Sequence, residues 1–408
     1  MSMDEVISRL LGHDAVRAAV QHVHRNDEHT IRLQAELSSI PAPTGAEDRR
    51  ASRMVELFRE AGLSEVTADK AGNVRAWLNG PASPARNGKA PVILSAHLDT
   101  VFGPEINVNV ERRGRRLEGP GIGDNARGLV ALISVARALM HARVPLTRPV
   151  LFAATVGEEG GGDLRGMKYL LNGNGQGSPV AVIALDGAGL ERIVHRALGS
   201  RRYRVTFRGP GGHSWAAFGV ANPANAVGRA ASLLADLPPK TPPGSRTTCA
   251  VVRLGGGTGL NSIPQEAWLD LDLRSEDREA LLHLDETVRL AVGRALEDEN
   301  RRRAADTAPL ELDMELIGER PFGLTPRAHP LVQAAMAANR ALGRDLELAC
   351  ASTDANAPIA LGIPAIALGA GGRAGDAHLP TEWFENIDGA LGLVRAMLVT
   401  LAMSGIAE

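Results

Sequence analysis

The sequence predicts an α/β protein with a mostly parallel sheet, into which a smaller α+β domain is inserted. Short, almost wholly apolar segments, such as residues 91–96 (PVILSA), 150–156 (VLFAATV) and 180–185 (VAVIAL), alternate with longer helical patterns. Strands without a polar face are typical of a parallel sheet that helices cover on both sides. The chain has 408 residues, which is more than one hydrophobic core usually holds, so two domains are expected.

The helices of the first part are marked by apolar periodicity and by the residues that stop them. They are predicted up to the prolines at 41 and 43, and over 45–61, 125–141 and 165–171. The glycine-rich segment that follows, 172–178, is expected to be a flexible loop.

The pattern changes after residue 198. Strands and helices are then predicted in the order β-α-β-β-α-β, over 201–208, 222–237, 246–254, 266–274, 277–303 and 310–317. This order is that of a ferredoxin-like split unit. A helix over 329–342, a strand over 363–368 and a closing helix over 386–403 return to the first pattern. We therefore expect 1–198 and 319–408 to form one domain and 199–318 to be inserted in it.

Composition and charge exclude several classes of function. The formal net charge is −2, which argues against nucleic acid or an anionic membrane as the main partner, because both require a basic face. The first residues lack the pattern of a signal peptide, and no apolar run approaches the length of a membrane helix. Secreted chains more often carry a spaced cysteine framework, so Cys249 and Cys350 are predicted to be reduced core thiols and the cytoplasm is the expected location.

Polar residues follow four of the predicted strands at the point where each strand ends. They are His97 and Asp99, Glu158 and Glu159, Asp186, and His378, and Asp124 stands in the turn GIGDN before a helix. Ligands of open α/β sheets bind beyond the carboxyl ends of the strands, so these side chains can converge on one cleft. Such histidines and carboxylates, with no cysteine among them, form a nitrogen and oxygen donor set for borderline divalent ions.

Each of these residues also has a structural interpretation when it is taken alone. Asp124 can cap a helix, the glutamate pair can face solvent, His97 can be a core histidine and Asp186 can form an Asx turn. His195 lies off a strand end and is interpreted as structural. A serine nucleophile has little support, because the chain has no G-x-S-x-G motif.

Four motifs, in this order and spacing, resemble those of a known family. They are HLDT from residue 97, GIGDNARG from 121, GEEGGG from 157 and GGHS from 211. The chain from about Arg32 onward is similar to the di-zinc peptidases and amidohydrolases that include peptidase T, glutamate carboxypeptidase, acetylornithine deacetylase and succinyl-diaminopimelate desuccinylase. The resemblance implies a zinc-peptidase catalytic domain with an inserted lid and dimerisation domain.

The resemblance also implies a role for each site residue. His97 and Asp186 would hold one divalent ion, Glu159 and His378 a second, and Asp124 would bridge the two. The ions would be zinc, with manganese or cobalt as alternatives. Glu158 would be the general base, Asp99 would orient His97, and the Asp124–Asn125 peptide would be cis.

In the inserted domain, three residues resemble functional positions of the family. His213 would reach the oxyanion, often from the partner subunit of a homodimer, and Asn261 and Arg274 would hold the substrate carboxylate. Each also has a structural alternative: His213 can be a turn residue, Asn261 a loop cap and Arg274 a surface residue of a strand.

Asp186 as third ligand and the segment ASTDANAP (351–358) favour the peptidase T-like branch, although Ala351 stands where a serine is expected. The expected substrate is a small peptide with a free amino end. The alternatives are an N-acyl amino acid amidohydrolase and, of another class, an inactive metal-binding scaffold.

Overall fold

The computed structural model describes residues 1–78, 88–172, 178–237 and 246–407. The predicted flexible loop at 172–178 falls mostly outside these ranges. The chain divides into two compact units, the first formed by Met1–Ala197 with Gly323–Glu408 and the second by Leu198–Phe322. Among the described residues, no helix is long and apolar enough to cross a bilayer.

The helices are, in chain order, α1 (Met3–Gly12), α2 (Asp14–Arg25), α3 (Asp27–Ser38), α4 (Asp48–Glu60), α5 (Ala126–His141), α6 (Arg165–Leu171), α7 (Pro223–Ala235), α8 (Arg278–Asn300), α9 (Pro330–Ala341), α10 (Asn356–Ala360) and α11 (Gly389–Ser404). The strands are β1 (Ser64–Ala68), β2 (Val74–Leu78), β3 (Val92–His97), β4 (Glu111–Arg113), β5 (Arg116–Glu118), β6 (Val150–Thr155), β7 (Ala181–Leu185), β8 (Arg192–Ala197), β9 (Gly199–Arg208), β10 (Gly212–His213), β11 (Thr247–Gly256), β12 (Ser262–Ile263), β13 (Glu266–Ser275), β14 (Glu311–Arg320), β15 (Gly323–Leu324), β16 (Glu347–Ala351), β17 (Ala365–Leu368), β18 (Arg373–Gly375) and β19 (Trp383–Glu385).

Local signals in the sequence account for where several helices begin and end. Ser2 accepts a hydrogen bond from the amide of Glu5, whose side chain accepts from the amide of Ser2, so a capping box starts α1. Helix α4 ends at Glu60 and is followed two residues later by Gly62, which has a φ of +80°, a conformation that favours glycine. Helix α5 begins after Asn125, whose side chain accepts a hydrogen bond from the amide of Gly128.

The main sheet of the first unit has the order β1-β2-β6-β3-β7-β17-β8-β15, and β16 pairs with β8. Strand β3 runs parallel to β6 and β7, and β17 runs parallel to β7. The predicted mostly parallel sheet is confirmed for this central part. The flanking strands are different, because β2 is antiparallel to β6 and β8 is antiparallel to β17.

Helices cover both faces of this sheet, and the strand sequences show it directly. Val92 and Leu94 of β3 belong to one hydrophobic cluster, whereas Ile93 between them belongs to another. In β6, Phe152 lies in the first cluster and Leu151 in the second. Because successive side chains of a strand point to opposite faces, a strand buried on both faces has no polar positions. This explains the almost wholly apolar segments of the sequence.

The second unit is an antiparallel sheet of order β11-β13-β9-β14 with α7 and α8 packed on one face. Tyr203, Val205 and Phe207 of β9 alternate into its core. The intervening residue Arg204 instead pairs with Asp270 of β13 on the opposite face. The predicted order β-α-β-β-α-β is present, and the last strand continues to Arg320, beyond the predicted end of the inserted domain at residue 318.

Several short or irregular elements were not predicted. They are β1, β2, β8, β10, β12, β15, β16, α10 and the small sheet β18-β19-β5-β4. His195 lies inside β8, where it is buried and its Nδ1 is 2.8 Å from the carbonyl oxygen of Thr325. Cys249 and Cys350 are half-buried and free of disulfides, so they lie less deeply than the predicted core thiols.

Candidate metal centre

The residues at the strand ends meet at one edge of the main sheet. Strands β6, β3 and β7 are parallel neighbours, so their carboxyl ends lie side by side. His97 is the last residue of β3, Glu158 and Glu159 follow β6, and Asp186 follows β7. His97, Glu158 and Glu159 are buried. Burial distinguishes the two glutamates from the solvent-facing carboxylates that are common at loop positions.

Asp124 lies between the two histidines and offers one oxygen to each. Its Oδ1 is 3.0 Å from Nε2 of His97, and its Oδ2 is 3.3 Å from Nε2 of His378. Nε2 of His378 also lies 3.1 Å from Oε1 of Glu159, and Nε2 of His97 lies 3.9 Å from Oδ1 of Asp186. The five side chains therefore form two groups that share one carboxylate.

The donor atoms are close enough together to bind cations. The groups of His97, Asp124 and Asp186, and of Asp124, Glu159 and His378, each place one ligand atom per residue within 4.8 Å of the others. Carboxylate oxygen and imidazole nitrogen are donors that divalent ions such as zinc accept. A shared carboxylate between two such groups is the arrangement that a dinuclear site requires. The residues present thus fit two divalent ions.

Proton affinities show that the cluster has an excess of negative charge. Burial, reinforced by the charge of Asp124, raises the pKa of Asp186 to about 7. Hydrogen bonds with Asp124 and Glu159 raise the pKa of His378 to about 10, although burial opposes the shift. Carboxylates that raise the pKa of neighbouring groups are stabilised by positive charge nearby, and bound cations can supply that charge.

Asp99 is buried next to His97, but its carboxylate mainly holds the loop after β6. Its Oδ1 accepts from the amide of Glu158 and its Oδ2 from the amide of Glu159, both at 2.9 Å. The Nδ1 of His97 is 3.0 Å from the backbone oxygen of Asp99 and 3.6 Å from the carboxylate. Burial raises the pKa of Asp99, but His97 and these amides outweigh it and lower the pKa to about 2. The residue is thus placed to orient both His97 and the glutamate pair.

Glu382 is a buried residue of the site that sequence reasoning missed. Its carboxylate accepts hydrogen bonds from the amides of Gly121 (2.9 Å), Gly123 (2.8 Å) and Asp124 (2.8 Å). It therefore fixes the turn that carries the shared carboxylate. Burial raises the pKa of Glu382 to about 7, with the charge of Asp124 acting in the same direction. The sequence signal that could have indicated Glu382 is its position four residues after the candidate ligand His378.

Asn125 joins the same turn to the end of β7. Its Nδ2 donates to the carbonyl oxygen of Leu185 (2.8 Å), and its Oδ1 accepts from the amides of Gly128 (3.0 Å) and Gly187 (3.2 Å). The Asp124–Asn125 peptide bond is cis, as the resemblance implied. These contacts tie the turn that carries Asp124 to the strand end that carries Asp186.

Glu47 supports the loop of the glutamate pair from the other side. Its Oε1 accepts from the amide of Gly157 (3.1 Å), and both of its oxygens accept from Arg165 (2.6 and 2.7 Å). Gly157 has a φ of +64°, and a Cβ there would come within 2.7 Å of the Arg165 side chain. This glycine is therefore required by both conformation and space.

The three candidate residues of the second unit lie on its strands and loops. His213 ends the short strand β10, is exposed, and its Nδ1 accepts from the amide of Trp215 (3.2 Å). Asn261 is exposed, and its backbone carbonyl oxygen accepts a hydrogen bond from the backbone amide of Ser214 (2.9 Å). Arg274, in β13, donates through Nε to Asp272 (2.9 Å). His213 and Asn261 thus belong to one local structure.

A carboxylate shared by two histidine-containing groups at the edge of a parallel sheet is the donor arrangement of a dinuclear metal site, which metal-dependent hydrolases use. The chain belongs to the peptidase family M20/M25/M40, whose family model matches residues 93–404. The resemblance found in the motifs is thereby confirmed. The protein is a hydrolase of peptide or amide C–N bonds that uses two divalent metal ions.

Solved structures of similar fold extend over almost the whole chain. Aminopeptidase PepT from Bacillus cereus has 20% identity and a TM-score of 0.66, with 93% of this chain and 98% of that chain covered. The dipeptidase Dug1p from Saccharomyces cerevisiae has 16% identity, a TM-score of 0.71 and coverages of 95% and 98%. An amidase of the hydantoinase/carbamoylase family from Burkholderia vietnamiensis has 18% identity, a TM-score of 0.68 and coverages of 94% and 97%. By sequence, no curated protein is a significant match.

Proposed function

We propose that the protein is an aminopeptidase-like enzyme that hydrolyses an amide bond of a di- or tripeptide with a free amino end. The observation that carries the proposal is Asp124, whose two oxygens face His97 and His378. The structural neighbours from Bacillus cereus and Saccharomyces cerevisiae, an aminopeptidase and a dipeptidase, support the substrate class.

Five residues are proposed as metal ligands. His97 and Asp186 hold one ion, Glu159 and His378 hold the second, and Asp124 is shared. The proposed metal is zinc, with manganese or cobalt as alternatives, because the donors are nitrogen and oxygen only. When bound, two such ions polarise the scissile carbonyl and lower the pKa of a water toward 7.

Glu158 is the proposed general base and acid. It is buried beside His97 and Glu159, and its backbone amide is held by Asp99. Its carboxylate takes a proton from the attacking water and then passes that proton to the nitrogen of the leaving amine. A fixed backbone supports this role, because proton transfer needs a base held within hydrogen-bond reach. Asp99 is proposed to orient both His97 and this base.

The second unit is proposed to contribute three substrate contacts. His213 stabilises the oxyanion, and Asn261 and Arg274 hold the terminal carboxylate of the substrate. The planar guanidinium of Arg274 suits a carboxylate, and substrate binding would take place beside its ion pair with Asp272.

A homodimer formed through this unit and a cytoplasmic location are parts of the same proposal. Among the described residues, β11 is an edge strand of its sheet, and such an edge can pair with another copy. The location is supported by the two cysteines without a disulfide.

The second candidate function is that of an N-acyl amino acid amidohydrolase. The likeness to the Burkholderia vietnamiensis amidase favours it, since the same site would cleave either kind of amide. An inactive scaffold is the third alternative, and the complete donor set together with the buried Glu158 argues against it.

The test is hydrolysis of a dipeptide and tripeptide panel, each compound both free and N-acetylated, by protein supplied with Zn²⁺ or Mn²⁺. We expect cleavage of the free peptides and a fall in kcat of about 10²–10⁴-fold in Glu158→Gln with the metal content unchanged. Glu56→Gln, an exposed change on α4, is the control and retains full activity. Cleavage of the acetylated compounds alone supports the amidohydrolase, and metal binding without turnover of either set supports the scaffold.

A further inference from the structure

A cavity of about 600 Å³ lies beside the candidate metal centre, wholly within the first unit. Asp124 and Asp186 both form part of its wall. A group in the cavity therefore sits directly next to the reacting centre of the proposed function. The volume is in the usual range for sites that bind small molecules.

Three arginines line this cavity, and they differ in how their charge is balanced. Arg344 pairs with Asp388 at 2.8 Å. Arg192, the first residue of β8, and Arg373, the first residue of β18, are exposed and make no side-chain ion pair with any residue of the described ranges. Two guanidinium groups of the wall thus keep their hydrogen-bond donors available.

The carboxylates of the cavity wall are already occupied. Glu191 accepts from the amide of the preceding residue (3.1 Å), and Glu382 accepts from the three amides of the metal-site turn. Asp388 is paired as described, and Asp124 and Asp186 are proposed ligands. Arg192 and Arg373 are thus the arginines of the wall whose guanidinium donors remain available to a bound molecule.

Carboxylates on adjacent strands stand opposite the two arginines but form no ion pair with them among the described residues. Glu347 stands opposite Arg192 in the register of β16 and β8, and Glu385 stands opposite Arg373 in that of β19 and β18. Within the described part of the chain, neither pair comes within the 4.0 Å that an ion pair requires.

We propose that Arg192 and Arg373 form a subsite for a carboxylate carried on the acyl side of the scissile bond, so that the preferred substrate is acidic on that side. The guanidinium group pairs with a carboxylate through two parallel hydrogen bonds, which favours this ligand over a neutral amide. The inference rests on the proposed function, in which Asn261 and Arg274 hold the carboxylate of the leaving-group side. Because the leaving-group carboxylate already has its partners in that proposal, the second carboxylate is assigned to the acyl side.

The first test compares kcat/KM of the zinc-supplied protein on Glu-Ala and Gln-Ala, which differ in the charge of the side chain. We expect Glu-Ala to be preferred by about 10-fold or more, since hydrogen bonds to charged groups are the stronger ones. In the double variant Arg192→Gln/Arg373→Gln, the ratio of kcat/KM on Glu-Ala to kcat/KM on Gln-Ala is expected to fall toward one. Arg112→Gln, an exposed change at a pair with Glu28, is the matched control and leaves the preference intact.

Further substrates define the side and the source of the carboxylate. Arg373→Glu is expected to turn the preference toward Lys-Ala. Glutaryl-Ala, which lacks the amino group, distinguishes a dicarboxylic acyl group from an acidic residue with a free amino end. An arginine-dependent preference for Ala-Glu over Glu-Ala would overturn the assignment to the acyl side.

The outcomes separate this inference from the proposed function. Hydrolysis with equal kcat/KM on Glu-Ala and Gln-Ala overturns the subsite and leaves the peptidase proposal intact. If no peptide is hydrolysed, the peptidase proposal fails, and calorimetric titration with L-glutamate and L-glutamine decides the subsite. Tighter binding of glutamate that is lost in the double variant supports it, and equal binding of the two amino acids overturns it.

Discussion

At the scale of single residues, Glu382 shows how a side chain that is not a proposed ligand can control the candidate centre. Its carboxylate accepts three amide hydrogens of the turn that carries Asp124. In Glu382→Gln, the new amide group would direct a donor toward those donors. We expect metal affinity to fall by about 10–100-fold, as is typical when a group that orients ligands is changed.

Competition with a chromophoric chelator measures the affinity of this variant. The control is Glu56→Gln, the exposed change on α4. An affinity equal to that of the unchanged protein would show that the three amide contacts do not position Asp124.

Asp270 is the corresponding residue of interest in the second unit, where it stabilises the fold. It is buried and accepts from Arg204 (2.5 and 2.9 Å) and from Arg253 (2.7 Å). Burial raises its pKa, but the two arginines outweigh this and lower it below the ordinary value. We expect Asp270→Asn to reduce the free energy of unfolding by about 1–2 kcal/mol at neutral pH, because both arginines are partly exposed and screened by solvent.

The pH dependence of this effect has a definite sign. A carboxylate with a lowered pKa in the folded state stabilises the protein above its unfolded pKa, and the contribution is lost as the pH falls through the folded value. The difference between the unchanged protein and Asp270→Asn should therefore shrink below about pH 4. Denaturant unfolding at several pH values measures it, with the exposed Asp313→Asn as control. A difference that grows on acidification would contradict the assigned role.

At the scale of secondary structure elements, two glycines in helices provide a matched pair. Gly128 in α5 lies against the end of β7, and a Cβ there would come within 2.6 Å of the carbonyl oxygen of Leu185 and would also meet Asn125. Gly228 in α7 has nothing within 4 Å of such a Cβ. In a helix interior, alanine is intrinsically more favourable than glycine by about 1 kcal/mol.

We therefore expect Gly128→Ala to destabilise the protein by about 1–3 kcal/mol, because overpacking outweighs the gain in helix propensity. It should also weaken metal binding, since Asn125 belongs to the turn that carries Asp124. Gly228→Ala is expected to stabilise by about 0.5–1 kcal/mol. Denaturant titration measures both variants. If Gly128→Ala proved as stable as Gly228→Ala, the close approach of α5 to β7 would be wrong.

The same elements show what the sequence can and cannot predict. Strands β3, β6 and β7 are buried on both faces, so their apolar segments and the polar residues after them were found from the sequence alone. Strands β1 and β4 are largely exposed and carry no such pattern, so they were missed. Glu382 was missed because its partners lie about 260 positions away, and no local pattern records such a contact.

Helix α5 gives a second example of this limit. Its apolar stripe predicted a buried face, but Arg127 is fully buried as well. Its guanidinium donates to the carbonyl oxygens of Ala370 (2.8 Å) and Gly389 (2.7 Å). A buried arginine is tolerated only where acceptors surround it, and those of Arg127 come from distant segments, so their presence depends on the completed fold.

At the scale of the whole molecule, each unit has a hydrophobic core of its own. The cluster that contains Val205 and Leu269 consists of residues of the second unit, whereas the clusters that contain Leu94 and Ile93 consist of residues of the first. The proposed metal ligands belong only to the first unit. A ligand that binds the folded state stabilises what it binds, by about 2.7 kcal/mol at a hundred times its Kd.

We therefore expect scanning calorimetry to show two transitions, of which Zn²⁺ raises one and a chelator lowers the same one. The temperature of the second transition should not depend on the metal. It should be lowered by Asp270→Asn and raised by Gly228→Ala. Both substitutions lie in the second unit and outside the proposed ligand set, so neither should move the metal-sensitive transition. This crossed design assigns each transition to a unit without separating the chain, which matters because the first unit is formed from two segments that flank the second. A single transition that moves with both the metal and the substitutions would show that the two cores unfold as one cooperative structure.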